Sequence, residues 1–213
     1  MLVVDDHALV RMGIRRLLDD WSDIDIVGEA ESGEAALVSA KVLQPDVMLL
    51  DIKMPGMDGW EVIRRLKKTN PSIKIIVLTS VTSDPFPGRL LQLGAMGYLT
   101  KESGMEEMVQ AIRKVMQGQR YLSALIAQKM AFNSLHDTQK SPFDGLSERE
   151  MQVMLMLARG LSVPAIAGSL FLSTKTVNGY RYRMFDKLGV KNDVELIYLA
   201  MKHRVIPVPD DVV

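Results

Sequence analysis

The sequence lacks cysteine, long apolar runs and net charge, and each absence excludes a class of protein. Without cysteine there is neither a disulfide framework nor a thiolate metal site, which fits a reducing compartment. No apolar run reaches the length that spans a bilayer, and no basic region followed by an apolar stretch opens the chain. We therefore expect a soluble, cytoplasmic protein without a membrane partner. Its 213 residues, 47% of them hydrophobic, suffice for one large domain or two small ones.

The net charge of the whole chain is zero, but its two halves carry net charges of opposite sign. Residues 1–117 hold 14 Lys and Arg against 17 Asp and Glu, a balance of −3, whereas residues 146–205 hold 9 against 5, a balance of +4. The difference suggests an acidic domain joined to one that binds a polyanion, although imbalances of this size are common. We place the first domain at 1–118, a linker with a helix at 119–145, and the second domain at 146–206.

Five short apolar runs alternate with segments of helical periodicity in the first domain. Because such alternation is typical of a doubly wound sheet, we predict an α/β domain with five parallel strands in the flavodoxin-like order 2-1-3-4-5. Asp84 is predicted to open a short fourth helix, and the polar stretch 136–142 is predicted to be a flexible segment. The first strand begins abruptly at Leu2, so the sequence is expected to lack the first residues of the natural chain.

Polar side chains stand at the carboxyl ends of four predicted strands. Asp5 and Asp6 follow the first strand, Asp51 ends the third, Thr79 ends the fourth, and Lys101 follows the fifth. Because the carboxyl ends of parallel strands share one edge of the sheet, we expect these five side chains to meet there. Three crowded carboxylates attract a hard divalent cation with oxygen ligands, and Mg²⁺ fits that description.

This arrangement predicts transfer of a phosphoryl group to Asp51. The carboxylate follows a buried strand and precedes a turn rich in Pro and Gly, which keeps it accessible. It could attack phosphorus as a covalent nucleophile beside a metal ion, with Lys101 holding the new phosphate and Thr79 donating a hydrogen bond. Each residue has an ordinary alternative role, such as a helix cap for Asp5, and their joint placement favours the site.

Up to about residue 118 the sequence resembles the receiver domains of two-component response regulators. The motifs that carry the resemblance are the acidic pair Asp5-Asp6, the segment LLDIKMPGMDG, Thr79, and GYLTK ending in Lys101. The resemblance implies that a histidine kinase phosphorylates Asp51. The chain departs from many receivers at the residue after the lysine, where it has Glu rather than Pro.

The same resemblance implies a metal site and a switch. Mg²⁺ is expected on Asp6 and Asp51 with the backbone carbonyl of Lys53, while Asp5 supports the site. Tyr98 is expected to be an aromatic switch that turns inward as Thr79 moves toward the phosphate. The alternative for Tyr98 is simple packing within a strand.

The second domain is predicted to be all-α, with four helices. Ser147 and Glu150 have the spacing of a capping box at the start of the first helix. The second helix spans 163–170, and the third begins after the cap Ser173 and ends at Gly189. Two short helices joined by a tight turn are typical of a helix-turn-helix, whose second helix enters the major groove of DNA.

One stripe of the third helix is predicted to contact double-stranded DNA. Asn178 could read a base edge, Tyr182 could contact a base edge or a sugar, and Gly179 would permit close approach. The remaining predicted contacts are to phosphates: Lys175, Thr176, Arg181, Arg183 and Lys187. The alternative for each of these residues is a solvated position on a basic helix. The opposite face is predicted to pack inward, with Val177, Tyr180, Met184 and Leu188.

From residue 146 to about residue 206 the sequence resembles LuxR/FixJ-type helix-turn-helix domains. The whole chain therefore looks like a NarL/FixJ-type response regulator. The segments DPFP, EMVQAIRKVMQGQRYLS, SPFDGLSERE and TVNGYRYRMFDKLGVKNDVEL are similar to the GacA/UvrY/LetA group. That group implies a GacS/BarA-like hybrid sensor kinase, a homodimer on DNA after phosphorylation, and promoters of small regulatory RNAs that titrate the CsrA/RsmA repressor.

The favoured function is that of a phosphorylation-switched transcription regulator. Such a protein is not an enzyme, apart from its own phosphotransfer and slow dephosphorylation. Two other functions are weighed against this one. A phosphatase of the aspartyl-phosphate type needs a second carboxylate two residues after the nucleophile, and Lys53 occupies that position. A DNA-binding protein whose receiver no longer accepts phosphate is disfavoured because all five strand-end residues are present.

Overall fold

The structure is a computed structural model that describes residues 1–79, 87–136, 141–203 and 205–206. The chain divides into two units, Met1–Phe132 and Asn133–Val213. The predicted start of the fourth helix at Asp84 and most of the polar stretch 136–142 lie outside the described residues. Within the described part of the chain, no helix is both long enough and apolar enough to cross a membrane.

The first unit is built on a parallel sheet in which the described strands follow the order β2-β1-β3-β4-β5-β6. The strands are β1 (Leu2–Val4), β2 (Gly28–Ala30), β3 (Val47–Asp51), β4 (Lys74–Thr79), β5 (Gly97–Thr100) and β6 (Tyr121–Leu122). The predicted order of the first five strands is confirmed. The sixth strand pairs with β5 and lies where the sequence predicted a linker, because two residues are too few to show an alternating pattern.

Helices connect these strands, one more helix follows the last strand, and side chains cap the first turns of some of them. The helices are α1 (Ala8–Leu18), α2 (Gly33–Leu43), α3 (Gly59–Thr69), α4 (Pro87–Leu93), α5 (Met105–Met116) and α6 (Ala124–His136). The Ser32 hydroxyl caps α2, accepting a hydrogen bond from the Ala35 backbone N–H at 3.2 Å. Asp58 caps α3 in the same way, accepting from the Glu61 backbone N–H at 3.0 Å.

The central strands are buried on both faces, as a continuous apolar run predicts. Side chains of β3, β4 and β5, such as Leu49, Ile76 and Leu99, join one apolar cluster with α1 and α5. Burying a side chain of this size contributes about 1.5–3 kcal/mol, so the sheet is held firmly. A firm sheet fixes the positions of the polar residues at the ends of its strands.

The second unit is all-α, as predicted. A 3₁₀ turn (Pro142–Gly145) precedes four helices: α7 (Glu148–Ala158), α8 (Val163–Leu170), α9 (Thr174–Leu188) and α10 (Asp193–Lys202). Helix α9 begins after the cap Ser173 and ends at Gly189, whose φ of 66° is the left-handed conformation that favours glycine. It buries Val177 and Met184, and also Phe185, which the helical spacing did not predict.

Glu150 ties α7 to α9. The predicted capping box is confirmed, since Ser147 and Glu150 exchange hydrogen bonds. The Glu150 carboxylate also lies 2.6 Å from Lys187 Nζ and 3.5 Å from Arg183 Nε. Burial raises the pKa of Glu150, but the bonds from Lys187 and Ser147 outweigh it, so the pKa falls below the ordinary value.

Glu150→Gln is expected to destabilise the second unit by about 1 kcal/mol at pH 7, because glutamine keeps the capping bond and loses the ion pairs. The pKa of the folded carboxyl is lowered, so this stabilisation is present above the ordinary value of 4.5 and is lost as pH falls through the folded pKa. Hydrogen exchange of α7 and α9 peptides measures the difference. A difference that persists undiminished under acid conditions would contradict the ion-pair origin.

Phe171 lies in the turn between α8 and α9 with φ 55° and ψ 46°, a left-handed conformation. This conformation costs a residue with a Cβ about 1–2 kcal/mol, and asparagine tolerates it better. Phe171→Asn is therefore expected to raise the free energy of unfolding of this unit by about 0.5–1 kcal/mol. Hydrogen exchange of α8 and α9 peptides is the suitable measurement, because both tryptophans, Trp21 and Trp60, lie in the first unit.

Phe171→Ala is the control for this test, since alanine removes the ring but keeps the Cβ. If alanine stabilises the unit as much as asparagine does, the backbone conformation is not the source of the gain.

Candidate functional site

Lys101 brings two buried carboxylates together at the carboxyl edge of the sheet. Its Nζ lies 2.7 Å from Asp5 Oδ2 and 2.7 Å from Asp51 Oδ2. Asp5 is fully buried and Asp51 is 2% exposed. The second oxygen of Asp51 accepts a hydrogen bond from the Lys53 backbone N–H at 3.0 Å. The sequence predicted that the side chains at the ends of β1, β3 and β5 lie close together, and the structure places them in contact.

Burial and charge act in opposite directions on these groups. Burial raises the pKa of Asp51, and this effect exceeds that of the hydrogen bonds from Lys101 and the Lys53 backbone. Burial lowers the pKa of Lys101, but its contacts with Asp5 and Asp51 raise it further, so the net pKa is raised. Lys101 is therefore charged at neutral pH, and the Asp51 carboxylate is more basic than one in water.

Asp5, Asp6, Asp51 and His7 form an acidic rim at the carboxyl edge of the sheet, and this rim can accommodate a metal ion. Each of these residues offers one ligand atom, and these atoms lie within 4.8 Å of one another. Asp6 Oδ1 is buried and, among the described residues, accepts no hydrogen bond; it lies 2.8 Å from His7 Nδ1. Carboxylate oxygens are the ligands that Mg²⁺ prefers, so the donor set fits the predicted ion. The predicted contribution of the Lys53 carbonyl stays a prediction.

Thr79 and Tyr98 occupy the neighbouring strands. Thr79 ends β4, is 1% exposed, and its backbone carbonyl accepts a hydrogen bond from the Lys101 N–H at 2.7 Å. Tyr98 lies in β5 opposite Val77 and is also 1% exposed. The structure therefore places Thr79 beside the rim and Tyr98 inside the domain, and the switch that links them stays a prediction.

The acidic rim includes a residue that sequence reasoning missed. His7 precedes α1, its backbone N–H donates to Asp5 Oδ1 at 2.8 Å, and its ring contacts both Asp5 and Asp6. A histidine one residue after two acids is a signal that the sequence did contain. The strand-end pattern does not single out His7, because a polar side chain that follows a strand is usually solvated.

The predicted DNA-binding stripe lies along the outer side of α9. Lys175 and Thr176 are exposed, Tyr182 is 61% exposed, and Asn178 and Gly179 are half-buried. Among the described residues, no ion pair involves Lys175. The Thr176 hydroxyl lies 2.8 Å from that of Ser173, at the first turn of the helix. These residues present hydrogen-bonding groups and one cation on a continuous surface.

Three of the cations that are predicted to contact phosphates also form contacts within the domain. Arg181 forms a two-point ion pair with Asp193 of α10, and its guanidinium lies 5.1 Å from the centre of the Phe185 ring. Lys187 and Arg183 contact Glu150, as described above. Arg181, the least exposed of the three cations, therefore joins α9 to α10, and its contact with DNA stays a prediction.

Two family models match the chain. Residues 1–113 match the response regulator receiver domain, and residues 144–200 match bacterial regulatory proteins of the luxR family. Similar proteins include the response regulator GacA of Pseudomonas protegens, which is 53% identical over 206 residues and 97% of both chains. The response regulator UvrY of Escherichia coli is 48% identical over 204 residues, which cover 95% of this chain and 94% of UvrY.

Solved structures of similar proteins share the fold. RcsB from Salmonella enterica serovar Typhimurium, bound to a promoter in the presence of the phosphomimetic BeF₃⁻, superposes with a TM-score of 0.73 at 27% identity. That match covers 94% of this chain and 97% of RcsB. The response regulator ChrA of a haem-sensing two-component system gives a TM-score of 0.54 at 32% identity, covering 96% and 97%.

Lys101→Met would leave Asp5 and Asp51 as adjacent carboxylates without their shared cation. We expect the free energy of unfolding of the first unit, at pH 7 without divalent ions, to fall by about 2–3 kcal/mol. Added Mg²⁺ should stabilise the variant more than the wild type, because the site is then more negative. Urea unfolding followed by tryptophan fluorescence measures both effects.

Arg120→Met, which removes an exposed cation, is the control for charge alone. Equal stability of Lys101→Met and the wild type would show that the ammonium group does not stabilise the acidic rim.

Proposed function

Because the chain belongs to the two-component response regulators with a LuxR-type DNA-binding domain, we propose that Asp51 accepts a phosphoryl group and thereby controls DNA binding by α9. The observation that supports this assignment is the geometry of Asp51. Its carboxylate ends β3 at the edge of the sheet, between a backbone N–H donor and the ammonium group of Lys101. The neighbouring acids Asp5 and Asp6 complete the site.

The chain's own groups orient Asp51 for attack. The Lys53 N–H holds Oδ1 and Lys101 holds Oδ2, so the carboxylate cannot rotate freely. An Asp51 oxygen forms a bond to phosphorus while the bond from phosphorus to the histidine nitrogen of the donor kinase breaks. A bound Mg²⁺, held by Asp6 and Asp51 with the support of Asp5, would neutralise charge on the phosphoryl oxygens.

The product changes the charge balance at the edge of the sheet. The phosphoryl group carries about −1.5 to −2 charge and strong acceptor oxygens, and it replaces the −1 charge of the Asp51 carboxylate, whose attacking oxygen becomes an ester oxygen. Lys101 can then bind the phosphate, and the Thr79 hydroxyl at the end of β4 can donate to it. Tyr98, on the adjacent strand β5, is the group we propose to respond to the displacement of Thr79.

The finer assignments rest on similarity to GacA and UvrY. We propose a GacS/BarA-like hybrid kinase as the phosphate donor, a homodimer on double-stranded DNA after phosphorylation, and promoters of small regulatory RNAs as targets. We also propose that the chain catalyses only its own phosphotransfer and slow dephosphorylation and is otherwise no enzyme. Its action on DNA would take place in the cytoplasm.

Intact-mass spectrometry after incubation with acetyl phosphate and Mg²⁺ tests the acceptor. We expect the wild type to gain one phosphoryl group and Asp51→Asn to gain none, because an amide cannot form the acyl phosphate. Asp20→Asn, an exposed acid on the same unit, is the matched control and should be labelled like the wild type. No gain in the wild type, or an equal gain in Asp51→Asn, would refute the assignment.

The double change Lys175→Ala and Arg183→Ala tests the DNA contacts. It should weaken binding to all duplexes and reduce the slope of log K against log salt by about one unit for each lost phosphate contact. Fluorescence anisotropy at several salt concentrations measures the slope. Arg159→Ala with Lys202→Ala removes the same charge from exposed positions outside α9 and should leave the slope unchanged. An unchanged slope in the α9 variant would contradict the predicted stripe.

A further inference from the structure

The first unit contains a polar groove away from the acidic rim. This α2–α3 groove has a volume of about 570 Å³ and is lined by three residues between positions 37 and 44 and by six residues between positions 64 and 70, at the ends of α2 and α3 and their C-caps. A helix that follows a strand of a parallel sheet runs back toward the amino ends of the strands. The groove therefore lies toward the edge of the sheet opposite to Asp51, and phosphorylation chemistry does not account for its residues.

The groove is strongly cationic. Four of its nine lining residues are Lys41, Arg64, Arg65 and Lys68, and no carboxylate occurs among the lining residues that the structure describes. Lys68 follows Arg64 by four positions and Arg65 by three, so α3 brings three cations to one face. Like charges at this spacing destabilise a helix. A bound anion would relieve the repulsion.

A buried carboxylate beneath the groove fixes its two arginines. Glu61 is fully buried; its Oε2 lies 2.9 Å from Arg64 Nε, and its Oε1 lies 2.6 Å from Arg64 Nη2 and from Arg65 Nε. One carboxylate thus orients two guanidinium groups. The two exposed lysines of the groove, Lys41 and Lys68, add positive charge beside them. Guanidinium groups held in this way are suited to binding carboxylate or phosphoryl oxygens.

The groove also has an apolar part and a size suited to a small molecule. Leu66, which is 2% exposed, and the half-buried Leu37 contribute to its lining. Its volume lies within the range of about 300–1,000 Å³ that small-molecule sites occupy. Cations around an apolar surface favour an occupant with an anionic group on an apolar body.

We propose that the α2–α3 groove binds a small organic anion, in which a carboxylate or phosphoryl group is carried by an apolar body. Lys41 and Lys68 supply mobile charges from the two helices, Arg64 and Arg65 supply oriented ones, and Leu37 and Leu66 contact the body. The site does not require phosphorylation of Asp51, so its test is independent of the proposed function.

Amide chemical shifts of the ¹⁵N-labelled full chain, without Mg²⁺, test the proposal with phenylphosphonate as the probe. Phenylphosphonate cannot donate a phosphoryl group to Asp51 and combines a dianion with an aromatic ring. We expect saturable shifts confined to residues 37–44 and 61–70. Methylphosphonate should bind more weakly, because it lacks the apolar body, and benzyl alcohol should cause no such shifts, because it lacks the charge.

Lys41→Gln with Lys68→Gln should weaken phenylphosphonate binding by about tenfold or more, since one charge-assisted contact is worth about a factor of ten. Both lysines are exposed, so the fold should persist, and unchanged shifts elsewhere verify it. Arg16→Gln with Arg120→Gln removes the same charge from other exposed positions of the first unit and should bind like the wild type.

Three results would overturn the proposal. The first is the absence of saturable shifts in α2 and α3 of the wild type. The second is equal loss of affinity in both double variants, which would indicate attraction by overall charge. The third is binding of an acidic peptide to this face when phenylphosphonate does not bind, which would indicate a protein partner instead.

Discussion

One ammonium group allows two carboxylates to stay buried at the edge of the sheet. Lys101 lies 2.7 Å from both Asp5 and Asp51, which are almost inaccessible to water. Two such anions would repel each other strongly in a medium that screens charge poorly. Because the three residues follow β1, β3 and β5, the contact requires that these strands end at the same level. The parallel sheet and its apolar core thus hold a cluster of charges in a position where its chemistry is available.

That contact also explains how a local reaction can affect the rest of the receiver. Lys101 is bound to Asp51 through its side chain and to the Thr79 carbonyl through its backbone N–H. A phosphoryl group on Asp51 would therefore change the partner of a residue that joins β4 and β5. Tyr98 is buried in β5, so it is placed to sense a change in the packing of these strands.

Sequence patterns predicted the parts of the structure that short stretches of the chain determine, such as strand ends and helix caps. Polar residues at strand ends, such as Asp5, Asp51 and Lys101, indicated the acidic rim, and the caps Ser147 and Ser173 gave the starting points of α7 and α9. The two-residue strand β6 was too short to show a pattern, and its pairing depends on β5.

Contacts between residues that are far apart in the sequence also could not be predicted from local patterns. The Arg181–Asp193 pair joins two helices, so a cation assigned to DNA from its helical position proved to have a partner in α10. Phe185 is buried although Tyr180, on the predicted face, is only half-buried, since the neighbouring helices decide which side chains fill the core. The groove between α2 and α3 needed the structure for the same reason, because Lys41 and Lys68 lie far apart in the chain.

A crystal structure of the full chain with beryllofluoride and Mg²⁺ tests the central claim most directly. The account predicts a beryllofluoride group on the Asp51 carboxylate, with Lys101 and the Thr79 hydroxyl contacting its fluorine atoms. Beryllofluoride bound at another residue, or an Asp51 carboxylate that keeps both of its present contacts and carries no such group, would contradict it.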